Sequence, residues 1–153
     1  MLRLTSRIDY GIRALVRLAE LGPRGVMTAI QLSEVEQIPV QFLEQILVSL
    51  RRAGLIRSIR GPGGGYTLAR PADQITVKEV FEVLEGPTVL AKCLDPMNDE
   101  GCDWQRKCVA RLLFERLQES LSRILEGTTL ADLVRMGREA GVLQPEHEPE
   151  PTA

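Results

Sequence analysis

The sequence predicts a mainly α protein with a small β-wing, a winged helix-turn-helix followed by a long helix. Three observations carry this prediction. Apolar residues recur at three- and four-residue spacing over 6–21 and 40–53, as amphipathic helices require. A run of Gly61-Pro62-Gly63-Gly64-Gly65 then separates two β-type segments and must turn. Charge is also divided along the chain. Residues 1–70 hold ten Arg and five Asp/Glu, a net of +5, and residues 71–153 hold nine Lys/Arg and sixteen Asp/Glu, a net of −7, which together give −2.

The first helix, 6–21, places Ile8, Ile12, Leu15, Val16 and Ala19 on one stripe and ends at Gly22-Pro23-Arg24-Gly25. Thr28 and Gln31 form a capping box, in which each side chain satisfies the other residue's backbone N–H. A short helix follows to about Val35. Pro39 suits the start of the next helix, over 40–53, because its missing N–H costs nothing there. Leu43, Ile46, Leu47 and Leu50 of that helix face inward, and Gly54 ends it in a left-handed cap. Strands are expected at 55–60 and 66–70.

Thr76 and Glu79 form a second capping box, opening a short helix that Gly86-Pro87 closes. The stretch 93–108 contains Pro96, Asn98, Asp99 and Gly101 and reads as loop. Helical pattern resumes over 103–126, with Ala110, Leu113, Leu117, Leu121 and Ile124 on one seam, and a last short helix spans 130–139. The Pro- and Glu-rich end, 144–153, is expected to be disordered.

A chain of 153 residues buries a core without disulfide staples. No apolar run approaches the roughly 20 residues of a membrane span. The N-terminus carries scattered charges and no small-residue cleavage site, so a cytoplasmic protein without membrane association is expected. No Ser-His-Asp arrangement is present, and the single histidine, His147, lies in the tail, so no enzyme is predicted.

The basic half and the order of its elements point to double-stranded DNA. The helix over 40–53 would enter the major groove, with Gln41, Glu44 and Gln45 facing base edges. Gln pairs bidentately with adenine, and a carboxylate accepts from cytosine N4. Arg51 would sit near phosphates, and Arg57 and Arg60 flank a wing whose Gly61, Gly63 and Gly64 let backbone approach the duplex. The same interface is expected to include Arg3, Thr5, Ser6 and Thr28. A phosphate-binding loop of the strand–loop–helix type is excluded, because this glycine run lies between two strands.

The three cysteines follow the spacing Cys93-x8-Cys102-x5-Cys108. The close cysteine pairs of structural zinc sites are absent. Wide spacing on a loop suits a metal cluster held by thiolates. Thiol redox sensing and inert cysteines are the other readings of the spacing.

The segments RLTSRIDYGIRAL, LEQIL and IRSIRGPGGGYTLARP, together with the three-cysteine loop, resemble the Rrf-two family of winged-helix regulators over about residues 2–137. Its branches include the IscR-like, NsrR-like and RirA-like regulators. The resemblance implies a homodimer built on a long dimerisation helix, binding a DNA operator. It implies Cys93, Cys102 and Cys108 as ligands of an iron–sulfur cluster. In the IscR-like branch a histidine three residues after the last cysteine completes the site, and here that position is Arg111. In the NsrR-like branch an aspartate of the partner subunit's first helix does so, and Asp9 matches that position. An oxygen ligand favours [4Fe–4S] over [2Fe–2S]. The implied organisation is a DNA-binding domain over 1–86, a cysteine loop over 87–108, dimerisation and C-terminal helices over 103–140, and a disordered tail over 141–153. Its function would be transcription regulation switched by the cluster, sensing iron, redox state or nitric oxide. The alternative is a cluster-free regulator of the same fold, controlled by thiol oxidation or by a partner.

Overall fold

A computed structural model describes residues 4–98, 102 and 107–144. Arg3, His147 and the tail from residue 145 onward lie outside the described residues. Helix α1 (Ser6–Glu20) begins at Thr5, whose hydroxyl accepts from the Ile8 N–H. Helix α2 (Ala29–Glu36) opens with the expected Thr28–Gln31 capping box. It ends at Gln37, which takes up the left-handed conformation at φ 53° without being glycine. Pro39 caps α3 (Val40–Arg52).

The end of α3 shows why Gly54 is needed. At φ 77° it lets the Leu55 N–H reach the Leu50 carbonyl at 3.0 Å, while its own N–H reaches that of Arg51. This double closure also brings Leu50 and Leu55 together in the core. Strands β1 (Ile56–Ile59) and β2 (Gly65–Leu68) pair antiparallel, from Ile56↔Leu68 to Ile59↔Gly65. On its other edge β2 bonds to Met27, through Met27 N–H to Tyr66 O at 3.0 Å and the reverse bond at 2.8 Å.

Helix α4 (Val77–Glu85) packs against α1, and Gly11 makes the approach possible: a Cβ there would lie 2.3 Å from Leu84 Cδ1. Leu43, Ile46, Leu47 and Leu50 are fully buried, as their spacing predicts. On α1 the buried residues are Ile8, Gly11, Ala14, Leu15 and Leu18, whereas Ile12, Val16 and Ala19 flank them and are half-buried. The apolar face of α1 is wider than one stripe because a second element covers its flank.

That element is α6 (Leu130–Glu139), which returns to the N-terminal core instead of extending the long helix. Leu130 is fully buried in the same cluster as Leu15 and Leu43. Thr76 and Thr129 form an antiparallel bridge, with Val77 N–H on Thr128 O at 2.8 Å and Leu130 N–H on Ile75 O at 2.9 Å. Both threonines head capping boxes, so α4 and α6 start side by side. Residues 141–143 do not begin a free tail. Gly141, at φ 70°, closes α6, and the Val142 and Leu143 N–H groups both reach Gly137 O.

The long helix, α5 (Val109–Gly127), starts later than residue 103. Lys107 is in a turn and Cys108 is the cap, so the cysteine lies just outside the helix. Periodicity cannot separate a helix start from a preceding loop rich in helix formers. Of the α5 residues only Leu125 is buried, and the seam of Ala110, Leu113, Leu117 and Ile124 faces outward, with Leu121 half-buried.

Candidate nucleic-acid interface and cysteine site

Burial of Leu43, Ile46, Leu47 and Leu50 turns the opposite face of α3 to solvent. Gln41, Glu44 and Gln45 are exposed there, followed by exposed Arg51 and Arg52 in the last turn. The four-residue interval from Gln41 to Gln45 and the seven-residue interval from Gln45 to Arg52 align these side chains along one side of the helix. Sequence reasoning missed Arg7 of α1, which is half-buried and steadies the reading helix. Its Nη2 donates to Ser49 Oγ at 2.8 Å, and Ser49 Oγ donates in turn to Gln45 O at 3.2 Å.

The positive charge of the N-terminal half is unevenly available. Glu36, with its side chain 11% exposed, accepts from Arg17 Nε at 2.7 Å and from Arg13 Nε at 3.3 Å. Arg13 also donates to the Glu36 carbonyl, and Arg17 to Glu20 at 2.5 Å. Arg70 is paired with Glu79 at 2.7 Å. Among the described residues Arg51, Arg52, Arg57 and Arg60 form no ion pair. Four of the unneutralised arginines of this half therefore lie at the end of α3 and on the wing, while Arg7, bonded to Ser49, and Arg24, in the turn after α1, are the other two among the described residues.

The wing depends on its glycines for two separate reasons. Gly61 and Gly63 have φ of 95° and 74°, which favour glycine. Gly64 does not, but a Cβ there would lie 2.2 Å from Ile59 O and 2.8 Å from Gly61 O. Gly65, which sequence reasoning left out, combines both constraints: its φ is 151° and a Cβ would lie 2.6 Å from Met27 O. Arg60 stands beside the turn. Arg57 instead lines a hollow of about 330 Å³ behind the wing, with Arg70, Ala19, Pro23 and Leu68.

Two other expected contact residues have structural work as well. Thr28 caps α2. Thr5 caps α1 and donates to Glu85 Oε1 at 2.6 Å, joining the start of α1 to the end of α4. Ser6 is exposed in the first turn of α1.

Cys93, Cys102 and Cys108 are free thiols, the second exposed and the others half-buried. Cys93 lies on a 3-10 turn over Lys92–Leu94, and Cys108 caps α5. Among the described residues no three side chains of the metal-ligating types gather into one site. The electrostatics of α5 nevertheless connect two of the thiols. Arg111 is held above its ordinary pKa first by its hydrogen bond to Glu115 Oε1, at 2.8 Å. Burial opposes this, and the charge on Glu115 adds to it, as would thiolates at Cys93 and Cys102. Asp9 is on the exposed side of α1, its side chain 56% exposed and 3.4 Å from Arg13 Nη1.

No helix among the described residues is long and apolar enough to cross a membrane. Residues 4–136 match the family described as Rrf2, iron-dependent transcriptional regulator. Relatives include the HTH-type transcriptional regulators IscR of Erwinia tasmaniensis, 36% identical over 87% of this chain and 79% of the relative, and of Sodalis glossinidius, 35% identical over the same shares. The global cysteine regulator CymR of B. subtilis has a similar structure, with a TM-score of 0.75 and 31% identity over 89% of this chain and 98% of its own. IscR of T. potens gives 0.74 and 29%, covering 94% of each chain. These relatives are named as regulators and not as enzymes, in agreement with the sequence expectation. The chain belongs to the Rrf-two family of winged-helix transcriptional regulators.

Proposed function

We propose that the chain is a homodimeric, sequence-specific DNA-binding regulator of the cytoplasm whose operator affinity is switched by an iron–sulfur cluster on Cys93, Cys102 and Cys108. The observation that carries this reading is the pairing of an unneutralised reading surface, on α3 and the wing, with three free thiols kept out of the core. Support for the homodimer comes from α5. Val109, Leu113, Leu117 and Ile124 expose an apolar stripe, the kind of surface that a second copy covers.

On DNA, Gln41 and Gln45 would read adenine edges and Glu44 a cytosine amino group, while Arg51, Arg52 and Arg60 neutralise phosphates. The soft, unpaired thiols fit a thiolate-held cluster in chemistry. Because they do not converge in the single chain, binding would draw the loop inward. Asp9 of the partner subunit would be the fourth ligand, leaving Arg13 to do so, and its oxygen favours [4Fe–4S] over [2Fe–2S]. When bound, such a cluster supplies a link between subunits that is labile to oxygen or nitric oxide. The chain's own part is to convert that link into a spacing between two reading helices.

The test is anaerobic purification followed by a visible spectrum, iron and sulfide analysis, and operator binding with and without the cluster. A brown protein whose affinity changes on bleaching is expected. Arg51→Ala should also reduce the salt slope of binding by about one. A colourless protein that binds DNA regardless of iron or oxidation would overturn the cluster reading.

A further inference from the structure

The cysteine loop is fastened to α5 before it reaches its first thiol. Gln118, midway along α5, holds the segment after α4 at two points. Its Oε1 accepts from the Leu90 N–H at 2.9 Å, and its Nε2 donates to Thr88 O at 2.7 Å. One carboxamide thus serves a donor and an acceptor two residues apart, as a neighbouring strand would. Both bonds are partly buried, beside a hollow of about 260 Å³ that also touches Leu94 and Leu125. Cys93 follows Leu90 by three residues, on a 3-10 turn that packs against α5. Arg111, which a thiolate at Cys93 would stabilise, lies about two turns before Gln118 on the same helix. The loop therefore runs back along α5 from Gln118 towards Arg111.

We propose that Gln118 is the positioning residue for Cys93. It fixes the loop to the helix that carries the exposed apolar seam, so a displacement at the thiol is delivered to α5. The functional consequence rests on Cys93 being a cluster ligand. The positioning itself is tested without a cluster.

Full-length, reduced, iron-free protein is treated with iodoacetamide, and each cysteine's alkylation rate is read by peptide mass spectrometry. Gln118→Leu removes both bonds at similar volume, and Cys93 should react roughly tenfold faster, the scale of one to two net hydrogen bonds. Cys102 is already exposed and should not change. Gln118→Glu keeps the acceptor for Leu90 but loses the donor for Thr88, and should fall between. In the unmutated protein the Leu90 amide should exchange with solvent more slowly than that of Val89. Unchanged Cys93 rates in both variants, or equal acceleration at all three cysteines, would overturn the proposal. If Gln118→Leu does not fold, Gln118→Glu and the Leu90 exchange decide. Faster Cys93 alkylation in a protein that never binds iron would retain the positioning role and remove the cluster reading.

Discussion

Two adjacent wing glycines should fail for opposite reasons. Gly63 has φ 74° and nothing within 4 Å of an added Cβ, so alanine there meets only backbone strain, about 1–2 kcal/mol. Asparagine tolerates that conformation and should cost less. Gly64 has no such φ, but its Cβ would lie 2.2 Å from Ile59 O and 2.8 Å from Gly61 O. Both neighbours are backbone, so no side chain can rotate away. Gly61 O also accepts the Gly64 N–H at 2.9 Å, so the turn must open for any side chain. Overpacking of this kind costs about 1–3 kcal/mol, limited by the wing's local stability because a hairpin can open without unfolding the core. The assay is operator affinity with amide exchange over the wing, in Ala and Asn variants at both positions. Gly63→Asn should remain near wild type. Gly64→Asn should be no better than Gly64→Ala, and both should weaken binding with little loss of Tm. Matching behaviour at the two positions, or greater damage at Gly63, would refute the steric argument.

Glu36→Ala leaves Arg13 with only the residue-36 carbonyl on α2 and Arg17 with Glu20 alone. Stability should fall by about 2 kcal/mol, discounted for the partial exposure of Arg13, and Tm by roughly 4–8 °C. A Tm within about 1 °C of wild type would count against the network. At Gln37, φ 53°, glycine relieves the strain that alanine retains, and both lose the bond from Gln37 Nε2 to Glu34 O. Chemical denaturation should rank Gln37→Gly above Gln37→Ala by about 1–2 kcal/mol, and the reverse order would contradict the assigned turn. Burial pushes the Glu79 carboxyl up, but the Thr76 N–H and Arg70 outweigh it, leaving the pKa below the usual range. Its contribution is therefore present above about pH 4.3 and disappears as pH falls through the lower folded value. Glu79→Gln should flatten the acid side of a Tm–pH curve, and an unchanged curve would exclude this role.

Features encoded by near neighbours were legible in the sequence. The inward residues of α3 follow from spacing, and the Thr28, Thr76 and Gly54 caps from residues within three or four positions. The start of α5 was not legible, because Lys107 and Cys108 have no strong stop signal and only the observed turn excludes them from the helix. Nor was the destination of α6, whose apolar side would suit a partner or the chain's own core equally well. Arg7–Ser49 and Gln118–Thr88 join residues 42 and 30 positions apart, a separation at which local pattern carries no information. The cysteine spacing identified ligand-type residues, but spacing along a loop does not determine whether they converge.

The Thr76–Thr129 bridge gives α5 a fixed end. The segment at Thr128–Leu130 is bonded on both sides of the bridge, and the other end of the helix stops at Cys108. With 19 residues, α5 is a lever about 28 Å long. Each degree of tilt about the bridge sweeps the cysteine end by roughly 0.5 Å, while the pivot hardly moves. On the proposed cluster reading, the chemistry would occupy the long arm and the DNA-reading body the pivot. In the proposed dimer, a movement of a few ångströms at the thiols would be geared down to a few degrees at the body, a small rotation that the two reading helices, one per subunit, would register twice.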